Sequence, residues 1–283
     1  MKLPITVVSI TYNESFHIEN YLSNVTKYFE KIVIIDSGSD DGTLDIIDKF
    51  QNVEVKFNKF KNFGTQWNFA INYIQKYGGW SLKMDPDERM TDELFLEINK
   101  FFKDGKFKNY TNCCFKRRLW YLSKPLNIKS WVTRLWETNK CSFTKSLVNE
   151  HPIVKGKKYK FKNYIEHLDS KNHHEWINKQ NLYSSLEAIS LFKYKKRKLE
   201  GSANIKLISF IKKFFIFIPL YRQIYFIYCY FVKKSFLSGY LGYIWSIERV
   251  NLLTDIKNKY IEINNNKNHE AFIKKLLADI KIK

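Results

Sequence analysis

Within its first 84 residues the chain runs four times through a short strand-like segment, with helical spacing in between, and this alternation constrains the fold more than any other feature. Ile5 to Ile10 and Ile32 to Ile35 are apolar and β-branched, as in strands buried on both faces of a parallel sheet. Val53 to Phe57 is a third strand and Trp80 to Met84 a fourth. Phe16 to Phe29, Asp41-Gly42-Thr43 through Phe50, and Gln66 to Tyr77 read as helices. The order βαβαβαβ belongs to an open α/β sheet. Ligands of such sheets gather beyond the carboxyl ends of the strands.

The residues after those strand ends are polar and acidic. They are Thr11-Tyr12-Asn13-Glu14, the run from Asp36 through Gly38 and Gly42 to Thr43, and Asp85-Pro86-Asp87-Glu88-Arg89. Two aspartates one residue apart at a strand end are expected to face one cavity, because strand side chains repeat with period two. Their hard oxygens suit Mg²⁺ or Mn²⁺, which bridge to substrate phosphates. The competing reading is that Asp87 and Glu88 only cap a helix starting near Thr91. Asp36 is placed to accept hydrogen bonds from a base or ribose, and the Gly- and Ser-rich turn after it meets a helix N-terminus that favours anions. It also reads as a plain strand-to-helix turn with Asp40 or Asp41 as the cap. Neither a P-loop nor a GxGxxG turn is present, which argues against an ATPase or an NAD enzyme.

Charge divides the chain. Residues 1–110 hold 14 Lys/Arg and 16 Asp/Glu, a net of −2, whereas residues 111–283 hold 34 and 12, a net of +22. An acidic partner is expected, and nucleic acid, anionic lipid and sugar nucleotide all qualify. With 45% hydrophobic residues the chain has ample core material, which excludes a disordered tail. Cys113, Cys114, Cys141 and Cys229 form no CxxC pair and fit neither a disulfide framework nor a zinc site, so a reducing cytoplasm is expected. Strand-like pieces at Cys113 to Tyr121 and Thr133 to Trp136 precede a helix from His173 to Tyr194. Residues 205–250 are apolar and aromatic but broken by Pro219, Arg222 and Gln223. That stretch reads as lying in a membrane interface rather than crossing it, with a packed helical core as the alternative.

Taken together, Ser9-Ile10-Thr11-Tyr12-Asn13-Glu14, Ile35-Asp36-Ser37-Gly38-Ser39-Asp40-Asp41-Gly42-Thr43, Phe63-Gly64-Thr65-Gln66-Trp67-Asn68 and Trp80 through Arg89 resemble glycosyltransferase family 2. More narrowly, they resemble the branch with bacterial lipopolysaccharide core β-1,4-glucosyltransferases. The resemblance is specific over residues 5–98 and visible to about residue 250. It implies a GT-A fold, a Rossmann-like mostly parallel sheet flanked by helices, and a helical, basic, aromatic-rich C-terminal extension. It implies a nucleotide-sugar donor pocket lined by Thr11, Asn13, Glu14, Asp36, Asn68 and Asp85, with Asp36 on the base and Asp85 on the ribose. Asp87 would ligate Mn²⁺ or Mg²⁺, with His167 assisting the metal or the acceptor. Pro86 stands where members of the family usually have Ala.

Val148-Asn149-Glu150-His151-Pro152 lies where relatives carry Val-His-Glu, which implies Glu150 as the catalytic base, with Asn149 in place of their His. The expected organisation is a catalytic domain over 1–170, its donor half about 1–110 and its acceptor half about 111–170, followed by a membrane-associating region over 171–283. The expected function is inverting transfer from a nucleotide-sugar, most commonly UDP-linked in the family, to a lipid-linked or lipid A-linked saccharide. Such an enzyme would act on lipopolysaccharide, lipooligosaccharide or another surface glycan, peripheral on the inner face of the cytoplasmic membrane and without nucleic acid. A nucleotidyltransferase and a non-catalytic basic nucleic-acid-binding protein are the competing readings.

Overall fold

The computed structural model describes residues 3–144, 150–168, 172–196 and 215–279. The chain divides into two compact units, Met1–Pro125 with Lys129–Ser170, and Leu126–Ile128 with Lys171–Lys283.

The first unit is built on an eight-stranded sheet. Its elements run β1 (Ile5–Thr11), α1 (Ser15–Thr26), β2 (Lys31–Asp36), α2 (Thr43–Ile47), β3 (Val53–Phe57), α3 (Phe63–Ile74), β4 (Trp80–Lys83), β5 (Glu88–Arg89) and α4 (Asp92–Lys103). They continue with β6 (Asn112–Tyr121), β7 (Lys124–Glu137), β8 (Cys141–Phe143), β9 (Pro152–Val154) and β10 (Lys158–His167). The sheet order is β3-β2-β1-β4-β7-β6-β10-β5, and β8 and β9 form a separate ribbon. The first four strands in that order pair parallel, as the sequence led one to expect. The sheet as a whole is mixed, because β4–β7, β6–β7 and β10–β5 pair antiparallel.

Two cores cover its faces. Ile18, Tyr21, Leu22 and Val25 of α1 join Leu94, Ile98, Phe101 and Phe102 of α4 over Val7, Ile34, Leu82, Cys113 and Leu135. Trp67, Ala70, Ile71 and Ile74 of α3 pack on the other face with Val8, Val33, Ile35, Trp136 and Phe143. Each such aliphatic side chain contributes roughly 1.5–3 kcal/mol by leaving water. Side-chain caps fix where α3 and α4 start. Thr91 accepts from Leu94 N, with Asp92 and Glu93 in the first turn of α4, and Asn62 accepts from Thr65 N at the start of α3.

Several boundaries differ from the sequence reading. Helix α2 stops at Ile47 rather than Phe50, and β4 stops at Lys83. Thr133 to Trp136 is the end of a 14-residue strand.

The second unit is helical. Helix α5 spans His173–Lys196, followed among the described residues by helices Tyr221–Ile227, Gly239–Asn265 and His269–Asp279. Lys259 Nζ crosses to α5, bonding Asn181 O and the Ser184 and Ser185 hydroxyls at 2.7 to 2.8 Å. Gly242 lets the long helix approach residues 235–238, since a Cβ there would lie 1.8 Å from Ser235 O. No helix among the described residues is long and apolar enough to cross a membrane. Of the aromatic stretch read from sequence, residues 205–214 lie outside the described residues. The remainder serves both readings. Ile216, Tyr221 and Cys229 are buried, whereas Leu220, Phe231, Val232 and Tyr240 are 66%, 57%, 64% and 76% exposed.

Candidate active site

The carboxyl ends of β1 and β2 carry loops that are stitched together. Thr11 Oγ1 donates to Asp36 Oδ2 at 2.8 Å, and Asp36 Oδ1 accepts from Gly38 N and Ser39 N at 2.7 and 2.9 Å. Ser39 Oγ adds a bond to Asp36 Oδ2 at 2.6 Å. Gly38 holds φ at +96°, a conformation open to glycine at little cost, and this curls both amides onto the carboxylate. The Asn13 side chain donates to Asp40 Oδ1 and accepts from the Asp40 N–H, while its own N–H donates to Ser39 Oγ. Glu14 N–H donates to Thr43 Oγ1 at 2.8 Å. Thr11, Asn13, Glu14 and Asp36 are thus brought to one edge of the sheet, with the Asp36 carboxylate, 2% exposed as a residue, committed to shaping its loop.

The acidic motif after β4 is a turn and not a strand continuation. Glu88 N–H donates to Asp85 O at 2.9 Å, with Pro86 at the second position, where its fixed φ suits a tight turn. This corrects the period-two expectation: the two aspartates meet different partners. Asp85 Oδ2 lies 2.8 Å from Arg134 Nη2, and Asp85 Oδ1 lies 3.8 Å from Lys83 Nζ. Asp87 Oδ2 lies 3.3 Å from His167 Nε2, at the end of β10. Glu88 is fully buried; it accepts from Asp85 N–H at 3.0 Å and from Arg134 at 2.6 Å, and lies 3.7 Å from Arg117. The reading of Glu88 as a simple helix cap is therefore replaced, since Thr91 caps α4.

Electrostatics separate the half-buried Asp85 from the buried Glu88. Burial raises the Asp85 carboxyl, but Arg134 and Lys83 outweigh it and hold the group below the usual range. Burial dominates at Glu88 and pushes it up despite Arg134. Asp85 therefore stays an anion at the rim, while Glu88 holds the turn from beneath.

Glu150 joins this cluster through Lys83, whose Nζ lies 2.9 Å from Glu150 Oε1 and 4.0 Å above the Trp67 ring. Val148 and Asn149 lie outside the described residues. His151 N–H bonds Thr144 Oγ1 on the β8–β9 ribbon at 3.0 Å. Asn68 stands apart from the donor loops in its bonding. Its amide group exchanges bonds with Phe143 O and N at 2.9 and 2.8 Å and donates to Gly64 O, anchoring β8 to α3. Among the described residues no three or more His, Cys, Asp or Glu side chains converge as a metal-binding group. Sequence reading missed Lys83, Arg117 and Arg134. Only the placement of Arg134 in a strand-like piece hinted at it, because strand pairing between distant segments is invisible in local pattern.

A parallel half-sheet with acidic loops at its carboxyl edge, completed by antiparallel strands that return basic and acidic groups to that edge, is a GT-A type α/β fold. The model of glycosyl transferase family 2 matches residues 6–149, and the chain belongs to that family and is a glycosyltransferase. It is 25% identical to an uncharacterised glycosyltransferase of Rickettsia prowazekii over 86% of this chain and 82% of the relative. A glycosyltransferase, SunS, from the SPbeta prophage of Bacillus subtilis is 38% identical over 34% of this chain and 23% of its own. Among solved structures, residues 1–349 of S. aureus TarS match at TM-score 0.45 and 16% identity, covering 93% of this chain and 88% of that one.

Proposed function

We propose that the protein is an inverting, metal-dependent glycosyltransferase that moves a hexose from a nucleotide-sugar, UDP-linked in the first instance, to a saccharide of a bacterial surface glycan. The observation carrying this reading is that the Asp36 loop, the Asp85-Pro86-Asp87-Glu88 turn and the Lys83–Glu150 pair belong to one edge of one sheet. Thr11, Asn13, Glu14 and Asp36 border the nucleoside, with Asp85 toward the ribose. Asn68 acts there by fixing Phe143. Residues 1–110 form the donor half and 111–170 the acceptor half.

Asp87 and His167 together offer a hard oxygen and an imidazole nitrogen, a donor pair that fits Mn²⁺ and, through the carboxylate, Mg²⁺. Two protein ligands leave coordination positions for phosphate oxygens and water, the usual arrangement for a cation shared with a diphosphate. Bound there, the cation would offset charge on the departing diphosphate. Glu150 takes the proton of the acceptor hydroxyl as its oxygen bonds the anomeric carbon. The bond from that carbon to the diphosphate oxygen breaks, and the nucleoside diphosphate leaves.

The acceptor in this reading is lipid-linked or lipid A-linked, in lipopolysaccharide or lipooligosaccharide synthesis. The protein would sit peripherally on the inner face of the cytoplasmic membrane through residues 171–283. Support comes from 21 Lys/Arg against 8 Asp/Glu in that segment and from the exposed apolar residues between Leu220 and Tyr243.

The test is release of nucleoside diphosphate from a panel of UDP-, GDP- and dTDP-sugars with Mn²⁺ or Mg²⁺. Metal-dependent release from one donor, abolished in Asp87→Asn, is the expected result. Absence of release together with absence of metal-dependent donor binding by calorimetry would overturn the reading.

A further inference from the structure

The sheet face that carries the candidate base does not end at β7. Cys113, Phe115 and Leu135 belong to the core under α1 and α4. The residues alternating with them on β6, Lys116 and Arg118, therefore project to the opposite face, the one on which Lys83 meets Trp67 and Phe143. Strand register sets Lys116 against Trp131 on β7 and against Tyr164 on β10, and Arg118 against Lys129 and Glu166. Lys116 Nζ and Lys160 Nζ lie 5.3 and 5.6 Å from the Trp131 ring centroid. Arg118 and Lys129 lie 4.7 and 4.2 Å from that of Tyr164.

The one acidic residue in this group is already neutralised. Glu166 accepts from Arg118 Nε at 2.8 Å and from Trp120 Nε1 at 2.6 Å. Lys116 and Lys160 thus flank an indole that is 49% exposed in the middle of a sheet, where large aromatic side chains are ordinarily covered, and Lys129 stands over the neighbouring Tyr164 ring.

We infer that this Trp131 platform, with Lys116, Lys129 and Lys160, is an acceptor subsite for an anionic saccharide, one carrying carboxylate or phosphate groups. The inference rests on the transferase reading above and adds to it the charge class of the acceptor. A flat indole matches the apolar face of a pyranose ring. Lysine ammoniums on flexible stems complement carboxylate or phosphate without demanding one geometry. Continuity with the Lys83 face favours a saccharide over nucleic acid, since a transferase acceptor must extend away from the base along the surface next to it.

The experiment uses the full chain and calorimetric titration with trigalacturonate, sialyllactose and a phosphorylated disaccharide, each against neutral maltotriose. At least one anionic probe is expected to bind tenfold or more tighter than maltotriose. Trp131→Ala and the double variant Lys116→Gln/Lys160→Gln should each weaken it at least tenfold. Acceptor-independent release of nucleoside diphosphate should stay within twofold of wild type in both, which also shows that the variants fold. Equal binding of anionic and neutral probes, or anionic binding unaltered in both variants, would overturn the inference. So would a single-stranded oligonucleotide that binds the platform more tightly than every saccharide. Loss of donor turnover in Asp87→Asn is read separately, so the transferase reading can stand while the platform fails.

Discussion

Lys83 Nζ stands 2.9 Å from Glu150 Oε1 and 3.8 Å from Asp85 Oδ1, so one ammonium, its side chain 6% exposed, joins the candidate base to the first aspartate of the acidic turn. Two carboxylates this close to one cation are held in place by it. Removing the cation leaves both facing each other across a partly dry site.

Replacing Glu150 with Gln keeps the shape and removes the proton acceptor. Transfer should fall by about 10²- to 10⁴-fold, while donor binding by calorimetry changes little. Lys83→Met should lower kcat as well and cost about 2 kcal/mol of stability, less than a fully buried pair would, because Glu150 keeps contact with water. Urea denaturation of both variants separates the effects: Glu150→Gln should stay close to wild type in midpoint and Lys83→Met should not.

Arg134 bridges Asp85 and Glu88 with a single Nη2 atom, at 2.8 and 2.6 Å. Arg134→Met would take the nearest cation from both acids, leaving Asp85 only Lys83 at 3.8 Å and Glu88 only Arg117 at 3.7 Å, with an expected loss of about 3 kcal/mol. Arg134→Lys retains the charge on a shorter side chain that falls short of where Nη2 stands, and should recover only part of that stability. If the two variants prove equally stable, charge alone recovers nothing at this site and the guanidinium's reach and shape decide.

Asp87 and His167 differ in what they offer a cation. Asp87→Asn should abolish metal-dependent donor turnover, whereas His167→Gln should retain turnover and shift the preference from Mn²⁺ toward Mg²⁺, since imidazole suits the softer ion. The measurement is turnover against metal concentration for each ion. An unchanged Mn²⁺ to Mg²⁺ ratio in His167→Gln would remove His167 from the ligand set.

Glu54 on β3 ties that strand to the end of α3. Burial raises its carboxyl, but hydrogen bonds from Tyr73, Tyr77 and Lys76 prevail and hold it down to about 2. A carboxyl lowered in the folded state contributes stability above its unfolded value near 4.5, and that contribution is lost as pH falls toward 2. With its side chain 31% exposed, solvent screening leaves about 1 kcal/mol. The wild-type thermal midpoint should therefore drop more steeply than that of Glu54→Gln between pH 5 and 2, as followed by circular dichroism.

The strands β1 and β2 were legible because β-branched runs buried on both faces leave an apolar signature. The turn at Asp85 to Glu88 was not. Its alternating side chains mimic a strand, and only the Glu88 N–H to Asp85 O bond shows that Pro86 bends the chain. The acidic loops could be read as a cluster because each follows a strand. Their cationic partners could not, because β4 pairs with β7 across a long stretch of sequence, and nothing local to Arg134 or Lys83 announces the neighbour. For Asn68 the motif resemblance implied a donor contact, and what the structure adds is that its amide bonds the backbone of Gly64 and Phe143.

The exposed apolar residues of the helical unit lead to the last expectation. Leu220, Phe231 and Val232 are each more than half exposed, and Arg222, Lys233 and Lys234 stand beside them in sequence. Apolar side chains flanked by cations fit the headgroup boundary of an anionic leaflet, where each nearby Lys or Arg adds about 1 kcal/mol. Wild-type protein should cosediment with vesicles containing phosphatidylglycerol and far less with pure phosphatidylcholine. The triple variant Leu220→Ser/Phe231→Ser/Val232→Ser should lose at least tenfold in vesicle affinity with its helical circular dichroism unchanged. Should the same variant instead convert a dimer to a monomer in sedimentation velocity, with vesicle binding intact, the patch is a contact between two copies of the chain.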